Sequence, residues 1–228
     1  LKCFVIFKNF LFSSKIKKQS KFCILAEKTF ENYSLIVSLM LTNNIWIPLS
    51  NNNPSNRNLE IIKIVKPEVI FVDKKNHKYL LKLIKNKLKV KVIILENFFY
   101  ELKTTNLRNK IIDFDCDHKE YDLAMIFFTS GSTGEPKGVP INQINYISVL
   151  FGEIKKLYSN KIKYVFADIH DTSFVISLVI IFPCIYLNGV MVPAKNTSDK
   201  LYAINFLKKN KVNILITLPS FINQSSIS

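Results

Sequence analysis

Short apolar runs separated by amphipathic segments fill the first 130 residues, and this alternation limits the fold more than any other feature. The runs are continuous rather than alternating, as expected of strands that are covered on both faces. Between them, apolar residues recur at helical spacing, as at Leu35, Ile36, Leu39 and Met40. We therefore predict an α/β fold with a mostly parallel sheet and flanking helices. The predicted strands are 21–26, 45–49, 68–73, 91–95 and 123–128.

Residues 172–194 carry no charge and are numerous enough to span a membrane. The alternative is a buried helix at about 174–187, a turn at Asn188-Gly189 and a short buried strand. Pro183 and the Asn-Gly pair interrupt the run where a helix–turn–strand unit needs breaks. We favour this buried alternative.

The formal net charge of +15 first indicates an anionic partner such as nucleic acid. However, only Arg57 and Arg108 among the 32 basic residues are arginine, the residue that most often reads bases and phosphates. The lysines are scattered, and the densest cluster lies between Lys15 and Lys21. We interpret them as a solvated surface and expect no nucleic-acid partner.

Four cysteines and three histidines lie far apart in the sequence, without a CxxC pair or other metal-ligand spacing. We therefore predict no metal site within the chain. A disulfide framework is not expected either, so a reducing, cytoplasmic setting is the default. The apolar start is predicted to be a helix or strand of the folded domain rather than a signal peptide, because Lys8 interrupts it.

The stretch MIFFTSGSTGEPKGV, residues 125–139, places hydroxyls and glycines directly after the last predicted strand. Hydroxyl donors, glycines that let backbone N–H groups turn toward an anion, and one lysine together suit a polyphosphate. The carboxyl end of a central parallel strand is also where α/β proteins bind ligands. The spacing differs from the Walker A and GxGxxG motifs, and a polar hairpin or βα turn with a chance lysine is the alternative. The candidate residues are Thr129, Ser130, Gly131, Ser132, Thr133, Gly134 and Lys137.

The string from Thr129 to Gly138 resembles the phosphate loop of the adenylate-forming (AMP-binding) superfamily, TSGSTGxPKG, at every fixed position. IWIPLSNNNPSNR and VNILITLPSF resemble segments that lie before and after this loop in the family. HDTSF, residues 170–174, resembles the family's FDxS motif with His170 in place of Phe. The similarity covers most of residues 21–224. Within the superfamily, the sequence most resembles amino-acid adenylation domains and D-alanine–carrier-protein ligases. One departure is Gln143, where many members have His.

The resemblance implies an ATP-dependent ligase that activates a carboxylate, here an amino acid, as an acyl-adenylate. The acyl group then passes to a thiol of a phosphopantetheine carrier protein or of coenzyme A. The candidate loop residues would hold the ATP phosphates. Asp171 would bind the substrate ammonium, and Thr172 and Val175 would line the side-chain pocket. Alternatively, Asp171 caps a helix by accepting a bond from the N–H of Ser173 or Phe174.

The resemblance also implies that residues 1–228 form part of an AMP-binding N-terminal domain, without its C-terminal half and lid domain. No catalytic residue is expected within 1–228, and the ligands of Mg²⁺ would lie outside it. We therefore expect the chain alone to complete no turnover. Three alternatives remain: an acyl- or aryl-CoA ligase of the same superfamily, a non-catalytic remnant, and a protein anchored in a membrane by residues 172–194.

Overall fold

The computed structural model describes residues 2–54, 56–100, 118–130, 134–154, 163–196, 198–199, 202–219 and 221. The chain forms two compact units, Leu1–Ile144 and Asn145–Ser228. Each unit contains a β-sheet with parallel strands, so the predicted α/β class is confirmed. The prediction that 1–228 is part of one domain stays a prediction.

In the first unit, helices alternate with strands through the first four strands. The strands are β1 (Lys21–Leu25), β2 (Ile45–Pro48), β3 (Val69–Val72), β4 (Lys91–Ile94), β5 (Leu123–Ser130) and β6 (Pro136–Asn142). The helices are α1 (Lys2–Ser13), α2 (Phe30–Leu41), α3 (Arg57–Val65), α4 (Lys74–Ile84) and α5 (Leu95–Phe98). The apolar N-terminal segment is therefore a helix, α1, in agreement with its prediction as part of the fold.

The six strands form one sheet in the order β4-β3-β1-β2-β5-β6. Strands β1 to β4 pair in parallel, and β5 joins β2 in parallel through the pair Trp46–Met125. β6 pairs with β5 in antiparallel orientation and forms one edge. β5 is thus next to an edge strand rather than central, and β6 was not predicted.

Apolar side chains cover both faces of this sheet. On one face, residues of α3 and α4 share one buried apolar cluster with residues of β1, β2 and β3, and Leu59, Leu80 and Ile70 are among its members. On the other face, the Phe7 ring of α1 lies 5.6 Å from Phe22. Coverage on both faces explains why the strand sequences are continuous apolar runs.

The buried carboxylate of Asp73 joins the start of α4 to the end of β1. Its Oδ1 accepts hydrogen bonds from the backbone N–H and the side-chain amide of Asn76, both at 2.8 Å. Its Oδ2 accepts from the backbone N–H of Glu27 at 2.6 Å. Because Asp73 is only 3% exposed, these three bonds replace water around the carboxylate.

A polar network joins the start of β5 to residues that precede β1 and β2. The Gln19 side chain donates to the carbonyl of Leu123 and accepts from its N–H, both at 3.0 Å. Asn43 donates to the Asp122 carboxylate at 2.7 Å. Since β5 and β2 share one register pair, these side-chain bonds supplement a short ladder.

The second unit contains a three-stranded parallel sheet in the order β8-β7-β9. Its strands are β7 (Val165–Asp168), β8 (Val190–Pro193) and β9 (Ile214–Leu215). The helix α6 (Gln143–Ser148) and a π-helical turn (Val149–Ile154) precede β7, and α7 (Leu178–Tyr186) and α8 (Ala203–Lys209) follow it.

Residues 172–194 form the predicted helix–turn–strand unit. A 3-10 turn at Val175–Ser177 leads into α7, and Asn188 takes the left-handed conformation with φ of 50° in the turn before β8. Within the described ranges, no helix is both long and apolar enough to cross a membrane.

Candidate active site

The described residues of the predicted phosphate loop lie at the end of the hairpin formed by β5 and β6. Thr129 is paired with Lys137, and Ser130 is paired with Pro136. The segment is therefore a hairpin rather than a βα turn. Thr129, Ser130 and Lys137 are exposed, whereas Gly131, Ser132 and Thr133 lie outside the described residues.

Thr129 and Lys137 project from the same face of the hairpin. Directly opposed residues of an antiparallel pair share a face, with β-carbons about 5 Å apart. Phe127, two residues before Thr129, is on this face as well and packs edge-on against Trp46 with ring centroids 5.5 Å apart. The sheet core thus supports a strand whose exposed end presents a hydroxyl and an ammonium group side by side.

Two glycines of the hairpin are required for different reasons. Gly134 has φ of 80°, a left-handed conformation, and a β-carbon there would meet no atom within 4 Å. A β-carbon at Gly138 would instead lie 3.3 Å from Ile126 Cγ2 and from the Phe128 ring. Gly134 therefore allows a left-handed backbone conformation beside open space, while Gly138 permits close packing.

Glu135 adds a negative charge to the tip of the hairpin. Its side chain is exposed and lies two residues before Lys137. An anion bound at the tip would be attracted by Lys137 and repelled by Glu135, both through solvent.

Asp171 lies in the second unit, in the connection between β7 and α7. Its Oδ1 accepts a hydrogen bond of 2.9 Å from the N–H of Ser173. This is the local bond predicted as the alternative role of Asp171, although it closes a turn rather than capping α7, which begins at Leu178. The bond fixes the carboxylate orientation; ammonium binding by Asp171 stays a prediction.

The two predicted pocket residues differ in exposure. Thr172 is buried at 8% exposure, and its carbonyl accepts a bond of 3.2 Å from the Ser177 hydroxyl. Val175 is 58% exposed. Within the second unit, Val175 therefore offers its side chain to solvent and Thr172 does not.

A side-chain pair beside Asp171 was not predicted from the sequence. His170 Nε2 lies 3.1 Å from the Thr217 hydroxyl, and the two residues follow the carboxyl ends of β7 and β9. The sequence did mark His170 as unusual, because it is the position at which the chain departs from the FDxS pattern. Nothing in the sequence identified Thr217 as its partner.

The buried cysteines are poorly suited to nucleophilic chemistry. Burial, with a contribution from the Asp168 charge, raises the pKa of Cys184 to about 12. Burial also raises the pKa of Cys23. A neutral thiol is a weak nucleophile, so we assign neither a catalytic role. In the part of the chain that the structure describes, no three His, Cys, Asp or Glu residues group to hold a metal.

Residues 7–225 match the family described as AMP-binding enzyme. The chain belongs to this family. Over 180 residues it is 29% identical to the D-alanine–D-alanyl carrier protein ligase of Staphylococcus aureus (strain JH9), covering 77% of the chain and 34% of that protein. The AMP-binding chain thus spans about a third of the length of this curated relative.

Two solved structures share the fold of this chain. The luciferase-like enzyme of the mealworm Zophobas morio matches with a TM-score of 0.79 at 15% identity, over 99% of this chain and 53% of that one. The N-terminal subdomain of Klebsiella oxytoca NpsA matches with a TM-score of 0.74 at 18% identity, over 94% and 51%. At these identities the likeness concerns the fold.

Proposed function

We propose that the polypeptide carrying this sequence is an AMP-forming acid–thiol ligase. It would activate a carboxylate with ATP, giving an acyl-adenylate and pyrophosphate, and then pass the acyl group to a thiol. The observation that supports this most is the hairpin. In a chain of the AMP-binding family, it carries the phosphate-loop pattern and exposes Thr129 and Lys137 on one face.

The described part of the hairpin fits a polyphosphate. It offers exposed hydroxyls, one exposed ammonium and open space beside Gly134. We propose that the whole candidate set holds the β- and γ-phosphates and the departing pyrophosphate, where preplaced donors stabilise developing charge. When bound, Mg²⁺ would neutralise part of that charge, with ligands outside residues 1–228. The set is Thr129, Ser130, Gly131, Ser132, Thr133, Gly134 and Lys137.

The carboxylate is proposed to be an amino acid. The relative in Staphylococcus aureus is named for D-alanine and a D-alanyl carrier protein, which supports a small amino acid and a carrier-protein thiol. Asp171 would then pair with the substrate ammonium, a charge-assisted contact. Thr172 and Val175 would contribute to the side-chain pocket. Coenzyme A is the alternative acceptor, and a reducing, cytoplasmic setting remains the expectation from the widely spaced cysteines.

ATP–pyrophosphate exchange by the natural polypeptide that carries these residues tests the proposal. We expect D-alanine, L-alanine or glycine to stimulate exchange, and benzoate or a fatty acid to leave it at background. Stimulation by benzoate or a fatty acid alone would identify an acyl- or aryl-CoA ligase instead. Background exchange with every acid would contradict the proposed function.

Variants of the hairpin test the phosphate site directly. Lys137→Ala should raise the KM for ATP about tenfold, the effect of losing one hydrogen bond to a charged group. The free energy of unfolding should change by less than about 0.5 kcal/mol, because Lys137 is exposed. Glu135→Gln should lower the KM about twofold by removing repulsion through solvent.

Lys82→Ala is the matched control, since Lys82 is also exposed but lies on α4. It should leave the KM for ATP unchanged. Equal effects of Lys137→Ala and Lys82→Ala would remove Lys137 from the site.

A further inference from the structure

The strand β9 has only two residues and depends on side chains to hold it against β7. Its register pairs with β7 are Phe166–Ile214 and Ala167–Leu215. Before the strand, the Asn213 side chain accepts from the N–H of Val165 and donates to the carbonyl of Lys163, both at 2.8 Å. These bonds fix the amino end of β9.

The bond between His170 and Thr217 attaches the carboxyl end of β9. It joins residues two and three positions beyond the last register pair, at a distance of 3.1 Å. The Phe221 ring also packs edge-on to the imidazole, with centroids 6.3 Å apart. The turn that follows β9 is thus attached to the turn that follows β7.

The hydrogen bond between His170 and Thr217 can form whether the imidazole is neutral or protonated. A hydroxyl both donates and accepts, so Thr217 can bond either neutral tautomer or the imidazolium. The phenylalanine typical of the FDxS pattern could keep the ring contact with Phe221 but has no hydrogen-bonding group. The bond is therefore a feature that His170 adds.

We propose that His170 is a positioning residue that, with Thr217, orients Asp171 toward the substrate ammonium. Asp171 lies in the chain between two residues that make hydrogen bonds. His170 is attached to the β9 turn on one side, and the N–H of Ser173 holds the Asp171 carboxylate on the other. This inference rests on the proposed function, because it concerns the substrate contact assigned there to Asp171.

Four variants of the natural polypeptide test the proposal: His170→Phe, Thr217→Val, the double variant and Thr217→Ser. In pyrophosphate exchange, either single change should raise the KM for D-alanine about fivefold, the effect of one lost hydrogen bond. The KM for ATP should stay within about twofold, because the ATP contacts are assigned elsewhere. The double variant should be no worse than either single one, and Thr217→Ser should match the wild type because it keeps the hydroxyl.

Hydrogen exchange measured by mass spectrometry separates failure of this inference from failure of the proposed function. Residues 214–218 should lose protection in each single variant and no further in the double variant, whether or not the protein activates an amino acid. Additive losses in the double variant would overturn the attachment itself. Coupled losses with an unchanged KM for D-alanine would overturn the positioning role. Absence of exchange with every acid in the wild type would overturn the proposed function, and the positioning role with it.

Discussion

Replacing Asp73 by alanine should destabilise the first unit more than loss of an ordinary helix cap. The carboxylate caps α4 through Asn76, and it also binds the N–H of Glu27, which follows β1. The alanine variant removes both functions at once. It leaves the buried side-chain amide of Asn76 without this acceptor as well.

The magnitude follows from the cap and from the bond to Glu27. Loss of the cap alone costs about 1 kcal/mol. Loss of the bond between the Glu27 N–H and a buried charged acceptor costs roughly 2 kcal/mol more. We therefore expect Asp73→Ala to lower the free energy of unfolding by about 3 kcal/mol. Asp73→Ser, which keeps a capping oxygen, should lose about 2 kcal/mol.

Urea titration followed by tryptophan fluorescence gives the measurement. Trp46 is the only tryptophan of the chain and is fully buried on β2, so its emission reports the first sheet. The free energy of unfolding follows from the midpoint and slope of the transition.

Thr29→Ala is the matched control for capping. Thr29 caps α2 through one bond of 3.3 Å to the N–H of Asn32 and contacts no second element through that oxygen in the described hydrogen bonds. It should cost about 1 kcal/mol. Equal destabilisation by Thr29→Ala and Asp73→Ala would refute the reasoning, because the link to Glu27 would then contribute nothing.

Three further predictions concern other parts of the described chain. Hydrogen bonds from the N–H of Lys119 and from Asn43 lower the pKa of Asp122. Its contribution to stability is thus present above the usual carboxyl range near pH 4 and is lost as the pH falls through the lowered value. Urea midpoints at successive pH values should fall less steeply on acidification in Asp122→Asn, and parallel curves would argue against this. Cys184, with its pKa raised to about 12, should resist iodoacetamide at pH 8 until denaturant is added, as peptide mapping would show; rapid labelling of folded protein would contradict burial. Gly138→Ala should destabilise the first unit by about 1–3 kcal/mol in the fluorescence assay because its β-carbon would crowd Ile126 and Phe128, and an unchanged midpoint would show that these side chains move aside.

The local apolar pattern of the sequence predicted the parallel strands of the first sheet. β1, β2, β3 and β4 all lie within the predicted runs. β1 to β3 are buried parallel strands, whereas β4 is a partly exposed strand at the edge of the sheet. The segment 172–194 was also predicted, because Pro183 and the Asn-Gly pair mark where helix gives way to turn and strand.

Strand β6 could not be predicted from its own residues. It contains two prolines and a glycine, which disfavour strands, and it forms because β5 lies beside it. Proline is tolerated there because β6 is an edge strand. Tertiary pairing therefore outweighed local preference.

The helix after the hairpin shows a second limit. The spacing of Ile144, Ile147, Phe151, Ile154 and Tyr158 predicts one apolar face, yet Ile147 is 44% exposed. Tyr146 packs against Phe182 instead, with centroids 4.6 Å apart, and Leu150 is buried. A π-helical turn begins at Val149, so a constant period of 3.6 residues does not describe this segment.

For the candidate site, the motif gave candidate residues but not their surroundings. The string from Thr129 to Gly138 predicted a phosphate site. Its hairpin geometry could not be predicted, because it depends on the pairing register of β5 with β6. By contrast, the bond from the Ser173 N–H to Asp171 could be predicted as one of two alternative roles of Asp171 because it is local. The bond between His170 and Thr217 joins residues 47 positions apart, a contact that no local pattern encodes.

The attachment of β5 has a consequence for the order of assembly. Short connections join strands β1 to β4. The hydrogen bond between Gln19 and Leu123, in contrast, joins residues 104 positions apart in the sequence. Closing a long loop costs more entropy than closing a short one, so we expect β5 to dock after the four-stranded core has formed. Stopped-flow refolding should show this as a late change in Trp46 emission when Phe127 arrives, and a single early change would argue against it. During synthesis the ribosome releases β1 to β4 first, so the hairpin emerges when its docking surface already exists.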